Sequence, residues 1–332
     1  MKLKGHTGWI ITDGKAGMVV QACGVADALG LAYEFKTVAP KGLSRILAPW
    51  GPVSRRERFG QPGSDFSPPW PSVAIASGRA SIPYIRALRR VAGTACYTVV
   101  LQDPKTSADT ADLIWVPQHD RRRGVNVMTT LTSPHSFSFS RISELRSPIP
   151  DDIADLKRPR VAVILGGKNA AYKFQKEDDV RLEKSLASIG RLGASFMITA
   201  SRRTHKRLLQ AAERATANSQ RILWAGVGEN PYPYFLAHAD WLVVTADSVN
   251  MTGEACATGR PVYVFTPSGG SAKFNRFHDV LKAYGATRDL PGEVDALAEW
   301  QYAPLDSAQL IAAEIERRWQ RRCEVLPATE NV

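Results

Sequence analysis

Cysteine is scarce in this chain, with four residues among 332: Cys23, Cys96, Cys256 and Cys323, far apart and without a CxxC pair or any Cys/His ligand spacing. That argues against a disulfide framework and against a cysteine-based zinc site, so reduced, buried thiols are expected, with no metal and no cofactor. Long apolar runs are missing too. None approaches the roughly 20 residues that cross a bilayer as a helix. The first residues, MKLKGHTGWIITDG, hold neither the apolar core nor the cleavage site of a signal peptide, so the expected compartment is the cytoplasm. The sequence also lacks a Walker A loop, a full GxGxxG fingerprint and any zinc-finger, RNP-type or helix-turn-helix signature, which makes nucleic acid the weakest candidate partner. Short internal repeats and low-complexity tracts are absent.

Positive charge is plentiful and unevenly placed. Residues 1–150 hold 19 Lys and Arg against 10 Asp and Glu, whereas the remainder holds 24 against 22. A basic N-terminal half suits an anionic partner, such as acidic lipid head groups or a phosphorylated substrate. The length suggests two domains of ordinary size, each burying its own core. The Pro- and Asp-containing stretch 148–159 is the expected linker.

Short apolar, β-branched runs alternate with segments of helical spacing, so the chain is α/β. In the first half, strands are expected over 8–12, 33–38, 72–76, 97–101 and 112–116. In the second they are expected over 160–165, 195–199, 221–224, 241–245 and 261–265. The clearest unit is DWLVVTADSVNMTGEACATGRPVYVFTP over 240–267, a strand, a turn at Asp247 and Ser248 with helix-capping side chains, a helix, and a second parallel strand. A helix start at the carboxyl end of a parallel strand holds phosphates well, so Asp247, Ser248 and Met251 are candidate diphosphate contacts. Glu254, further along that helix, can take a ribose diol.

Polar residues recur just after other strands. Asp13, Gly14 and Gly17 form a glycine-flanked loop, and His119 with Asp120 ends another strand. Gly166, Gly167 and Asn169 head the second half, where glycines would let backbone approach a ligand closely. The run Ser201, Arg202, Arg203 and Thr204 suits a diphosphate, which a guanidinium grips with a fork of donors. The long loop 48–72 carries Trp50, Phe59 and Trp70 beside Arg55, Arg56 and Arg58, a mixture suited to an anionic membrane interface or to a surface loop that packs a few aromatics.

The motifs DGKAG, SGR, LQDP, PQHD with a following NV, GGKN, SRRT, NPY and DSVNMTGEA with GRP, in that order over nearly the whole chain, resemble the mitochondrial-fission ELM1 family, known in plants and widespread in bacteria. The resemblance implies a GT-B-like α/β fold, two Rossmann-like doubly wound parallel-sheet domains facing across a cleft. An acceptor domain over 1–152, with a helix over 306–322 packing back on it, would precede a nucleotide-sugar domain over 158–305. It further implies Glu254 as a ribose ligand, the helix start from Ser248 to Met251 as the diphosphate site, and Gly166, Gly167, Asn169 and the 201–204 run as the rest of the donor site.

Metal-independent sugar transfer also needs a base to deprotonate the acceptor hydroxyl. Asp13 is the first candidate, and His119 with Asp120 the second. The expected partners are a nucleotide-sugar donor, a lipid or glycan acceptor, and an anionic membrane surface touched peripherally through the 48–72 loop. A nucleotide-sugar epimerase of the same shape and a non-catalytic adaptor, as in the plant member, are the alternatives. One departure stands out: the family continues after DGKAG with polar residues, where this chain has Met18, Val19 and Val20.

Overall fold

The computed structural model describes residues 2–325, which form two compact units: one up to Ser136 together with the residues from Asp306 onward, the other Phe137–Leu305. In unit 1 the order is β1 Thr7–Thr12, α1 Ala16–Leu29, β2 Ala32–Thr37, α2 Gly42–Leu47, β3 Val73–Ser77, α3 Ile82–Ala92, β4 Tyr97–Leu101, β5 Leu113–Pro117 and β6 Val127–Thr130. All six strands are parallel, in the order β2-β1-β3-β4-β5-β6.

The central strands read as unbroken apolar runs because both sheet faces are covered. Ile10, Ile75, Val99 and Trp115 pack against Val25 and Leu29 of α1. Their neighbours Ile11, Ala76, Val100 and Ile114 pack on the opposite face against Ile85 and Leu88 of α3. Burying each such side chain contributes about 1.5–3 kcal/mol.

Unit 2 runs α4 Phe139–Leu145, α5 Asp151–Ala154, β7 Arg160–Leu165, α6 Lys176–Arg191, β8 Ser195–Ala200, α7 Lys206–Ala215, β9 Arg221–Trp224, α8 Tyr232–His238, β10 Trp241–Thr245, α9 Val249–Cys256, β11 Val262–Phe265, α10 Ala272–Tyr284 and β12 Thr287–Asp289. Its sheet is again parallel, in the order β12-β11-β10-β7-β8-β9. The last helix, α11 Ser307–Val325, returns to unit 1: Ile311 and Ile315 join the α1 side of its core, and the Ser307 and Thr132 hydroxyls bond at 2.7 Å. Arg322 closes the contact by donating to Asp112 at 3.2 Å.

The break between units falls at Ser136 and Phe137, ahead of the stretch 148–159 expected to be the linker. The physical reason lies in the end of α4. Arg146 donates to Ala237 O at 3.2 Å and His238 Nε2 lies 3.0 Å from Leu145 O, which ties this segment to α8. The edge strands β6 and β12 are additions to the expected set. Cys96 and Cys256 are buried, but Cys23 is only half-buried and Cys323 is exposed.

Candidate functional site

In unit 2, β7 to β9 extend one way and β10 to β12 the other, so the chain diverges at the carboxyl ends of β7 and β10. Ligands of open α/β sheets bind at such a point. Asp247, just after β10, is 3% exposed and joins the two strand ends. Its carboxylate accepts from the Gly167 amide at 3.0 Å, from Thr245 Oγ1 at 2.7 Å and from Arg203 Nη2 at 3.1 Å. Burial pushes its pKa up against the pull of these donors.

Several residues expected to touch ligand build this frame instead. A Cβ on Gly166 would stand 2.1 Å from Asp247 Oδ1, and one on Gly167 would stand 1.9 Å from Arg203 O, so both glycines make room for protein atoms. Asn169 donates to Asp247 O at 3.0 Å and accepts from the Ala171 and Tyr172 amides, each at 2.8 Å. Thr204 Oγ1 lies 2.8 Å from the carbonyls of Leu165 and Gly166 and accepts from the Ser201 amide. Arg203 also donates to the Gly167 and Lys168 carbonyls. Asp247 is not the helix cap. Ser248 is, its Oγ accepting from the Met251 amide at 3.2 Å.

Beside this frame lies a cavity of 610 Å³. Its wall is made by the ends of β7 (Ile164, Leu165), β8 (Thr199 to Arg202) and β9 (Trp224 to Gly226), with Asn230, Tyr232 and Met251 of the first turn of α9. Of the expected ligand residues, Ser201, Arg202 and Met251 reach it; both arginines are exposed, but Arg202 lacks the bonds that tie Arg203 to Asp247 and to the Gly167 and Lys168 carbonyls. Trp224, Gly226 and Tyr232 join the wall with little mark in the sequence beyond the Asn-Pro-Tyr triplet and the glycines after β9. Glu254, expected to hold a ribose, is 7% exposed and accepts the Tyr232 phenol at 2.5 Å. Burial raises its pKa, and burial beside Glu254 raises that of Tyr232. Tyr232, not Glu254, is in the cavity wall.

Unit 1 diverges in the same way between β1 and β3. Asp13 follows β1, and a Cβ on Gly78 after β3 would stand 3.2 Å from its Oδ1. Lys15 Nζ donates to Asp13 Oδ2 at 2.7 Å. Gly14 has φ of 78°, which turns the chain sharply before α1, while Gly17 is already inside that helix.

Lys15, Met18, Trp50, Gly78 and Arg79 line a 440 Å³ cavity together with residues 101–105. Asp103 in its wall is pushed up by burial, but bonds from Lys105 and Arg122 outweigh this and hold its pKa below the usual carboxylate range. His119 is buried at the end of β5, in a turn closed by the Asp120 amide and Pro117 O at 2.9 Å, and is not in that wall.

The 48–72 loop divides. Phe59 stacks on buried Phe66 with centroids 5.0 Å apart, and Trp70 meets Trp9 edge-on at 5.9 Å, so both are half-buried against the α3-side core. Trp50 and the three arginines Arg55, Arg56 and Arg58 are exposed.

The UDP-GlcNAc 2-epimerase from Neisseria meningitidis bound to UDP-GlcNAc shares the fold, with a TM-score of 0.51 and 10% identity over 94% of this chain and 100% of that one. The architecture is thus two Rossmann-like domains of GT-B type. The chain is 25% identical to an uncharacterized protein of Rickettsia prowazekii (strain Madrid E) over 93% of its length and 97% of the relative's. It is 27% identical to the mitochondrial fission protein ELM1 of Arabidopsis thaliana over 76% of its length, and spans 65% of that protein. The pattern of the family described as Mitochondrial fission ELM1 matches residues 16–319, and the chain belongs to that family.

Proposed function

We propose that the chain transfers a sugar from a nucleotide-sugar donor to a lipid or glycan acceptor at the cytoplasmic face of a membrane, with unit 2 holding the donor and unit 1 supplying acceptor site and base. The observation that carries this reading is the 610 Å³ cavity at the carboxyl ends of β7, β8 and β9, where Ser201, Arg202 and the start of α9 meet. Amides of a first helical turn and a free guanidinium both favour a diphosphate. The aromatic ring of Trp224 offers a flat apolar wall for the base, and Tyr232, whose hydroxyl is engaged by Glu254, adds a second aromatic ring to the same wall.

In the reaction, Asp13 takes the proton from the acceptor hydroxyl as that oxygen bonds to the anomeric carbon. The bond from the anomeric carbon to the diphosphate oxygen breaks, and the electron pair leaves with the nucleoside diphosphate. Arg202 and the α9 amides stabilise the charge that collects there. Asp13 is preferred to His119 because its partner Lys15 lines the unit 1 cavity.

The test is calorimetry with UDP and GDP, followed by chromatography for nucleoside diphosphate released from nucleotide sugars with and without a lipid extract. Release that needs the extract supports transfer. Turnover to an isomeric sugar without any acceptor would make the chain an epimerase, and the absence of any nucleotide binding would favour a non-catalytic adaptor.

A further inference from the structure

On α2 three large apolar side chains lie at helical spacing, Leu43, Ile46 and Leu47, and Trp50 follows in the turn just beyond the helix end. No residue of α2 is buried; Leu43 is 74% exposed, Ile46 69%, Leu47 48% and Trp50 62%. Scattered apolar residues on a surface are ordinary, but three on one short helix with an exposed tryptophan directly after it make a cluster of the kind that marks an interaction site.

The segment is held from within. Arg79 donates to the carbonyls of Ile46 and Ala48, and Arg86 to that of Trp50 at 2.9 Å. The indole of Trp50 is fixed in turn by Lys105 O at 2.9 Å. Two guanidiniums thus anchor the backbone while the apolar side chains stay in solvent.

Charge indicates what covers the patch. Residues 41–64 contain five Lys and Arg against a single acid, Glu57, which is bonded to Tyr84 of α3 at 3.0 Å. Trp50 belongs both to the patch and to the wall of the 440 Å³ cavity, where Lys15, Arg79 and Lys105 lie.

We propose that this face docks unit 1 on an anionic lipid bilayer. Leu43, Ile46, Leu47 and Trp50 enter the head-group region, and Arg45, Arg55, Arg56 and Arg58 meet lipid phosphates. The adjoining cavity then receives the polar head of a lipid-anchored acceptor, a step that rests on the transferase reading above; the docking itself does not.

Sedimentation of the full chain with vesicles of phosphatidylcholine, with and without phosphatidylglycerol, tests the proposal. Wild type is expected to bind only the anionic vesicles, and less as salt rises. The Leu43→Ser, Ile46→Ser double variant should bind at least roughly tenfold more weakly with an unchanged Tm, because both side chains are exposed. Replacing Arg55, Arg56 and Arg58 with Ser should cost roughly fivefold per charge and flatten the salt dependence. Brominated lipid should quench fluorescence in wild type more than in Trp50→Phe.

Equal binding of wild type and the double variant would overturn the proposal. So would a dimer in light scattering that the double variant abolishes, since a second copy would then cover the face. Calorimetry with UDP on the same proteins separates the two readings: vesicle binding without nucleotide binding would sink the transferase alone, and the converse would sink the docking surface alone.

Discussion

The phenol of Tyr232 donates to the carboxylate of Glu254 across 2.5 Å, joining the start of α8 to the second turn of α9 beneath the unit 2 cavity. Burial holds the pKa of Glu254 above the usual carboxylate range. A raised folded-state pKa means that the protonated form is favoured by folding. Its stabilising contribution is complete below the unfolded value near 4.3 and is lost as pH rises through the folded one. Glu254→Gln, which can still accept from Tyr232, is therefore expected to gain stability relative to wild type as pH rises from 4 to 8. Urea unfolding at several pH values checks this, and a difference that shrinks with rising pH would refute it. Glu254→Ala, which strands the phenol, should lose about 1–3 kcal/mol at pH 4, a deficit that narrows as pH rises for the same reason.

Arg202 and Arg203 are neighbours in sequence with separate tasks. Arg203→Ala removes donors from Asp247 and from two carbonyls and is expected to lower stability by about 1–3 kcal/mol. Arg202→Ala should leave Tm within a degree or so and weaken nucleoside-diphosphate binding about tenfold or more, the worth of a lost charge-assisted bond. Thermal melts and calorimetry on both variants decide it; equal effects on both readouts would mean that the division of labour is wrong.

Gly166 and Gly167 are expected to reject even alanine. The new methyl would meet the Asp247 carboxylate at Gly166 and the Arg203 carbonyl at Gly167, neither of which can withdraw without breaking the frame. Each substitution should cost more than about 2 kcal/mol or leave the protein insoluble. A soluble Gly167→Ala protein with wild-type Tm would show that the 201–204 turn is softer than its bonding suggests.

Asp13→Asn is expected to reduce sugar transfer about 10²–10⁴-fold while donor binding is retained, as for the loss of a general base. His119→Ala should act mainly on stability, because the ring is buried. A turnover assay run beside nucleotide titration checks both. Near-normal turnover in Asp13→Asn with loss in His119→Ala would move the base to His119.

In α11, Glu314 accepts from Arg317 and Arg318, which hold its pKa down at about 2. A depressed folded-state pKa stabilises above the unfolded value near 4.3, and the gain disappears as pH falls towards about 2. Glu314→Gln should therefore cost about 1–3 kcal/mol at pH 7 and almost nothing at the acid end of that window, as measured by unfolding at both pH values.

Periodicity alone determined most of the architecture, because strands buried on both faces must be apolar throughout. Tyr97–Leu101, Arg160–Leu165 and Trp241–Thr245 stand in the structure at the bounds read from sequence. Thr287–Asp289 escaped because an edge strand with two exposed residues carries no such signature.

The order of polar motifs marked where the strands end, and so where a site had to be, but not which side chains face ligand. Asp247, Arg203, Asn169 and the two glycines have the composition of a phosphate site, yet their atoms are taken up by one another, a fact fixed only when β7 and β10 come side by side. Phe59 and Trp50 are aromatics of one loop with equal claims in sequence. Only the packing of Phe66 against the α3 face drew one inward, and only the bonds of Arg79 and Arg86 to residues 46–50 kept the other in solvent. Residue type sets what a side chain can bond to, whereas which partner it meets depends on chain segments brought together from far apart in sequence.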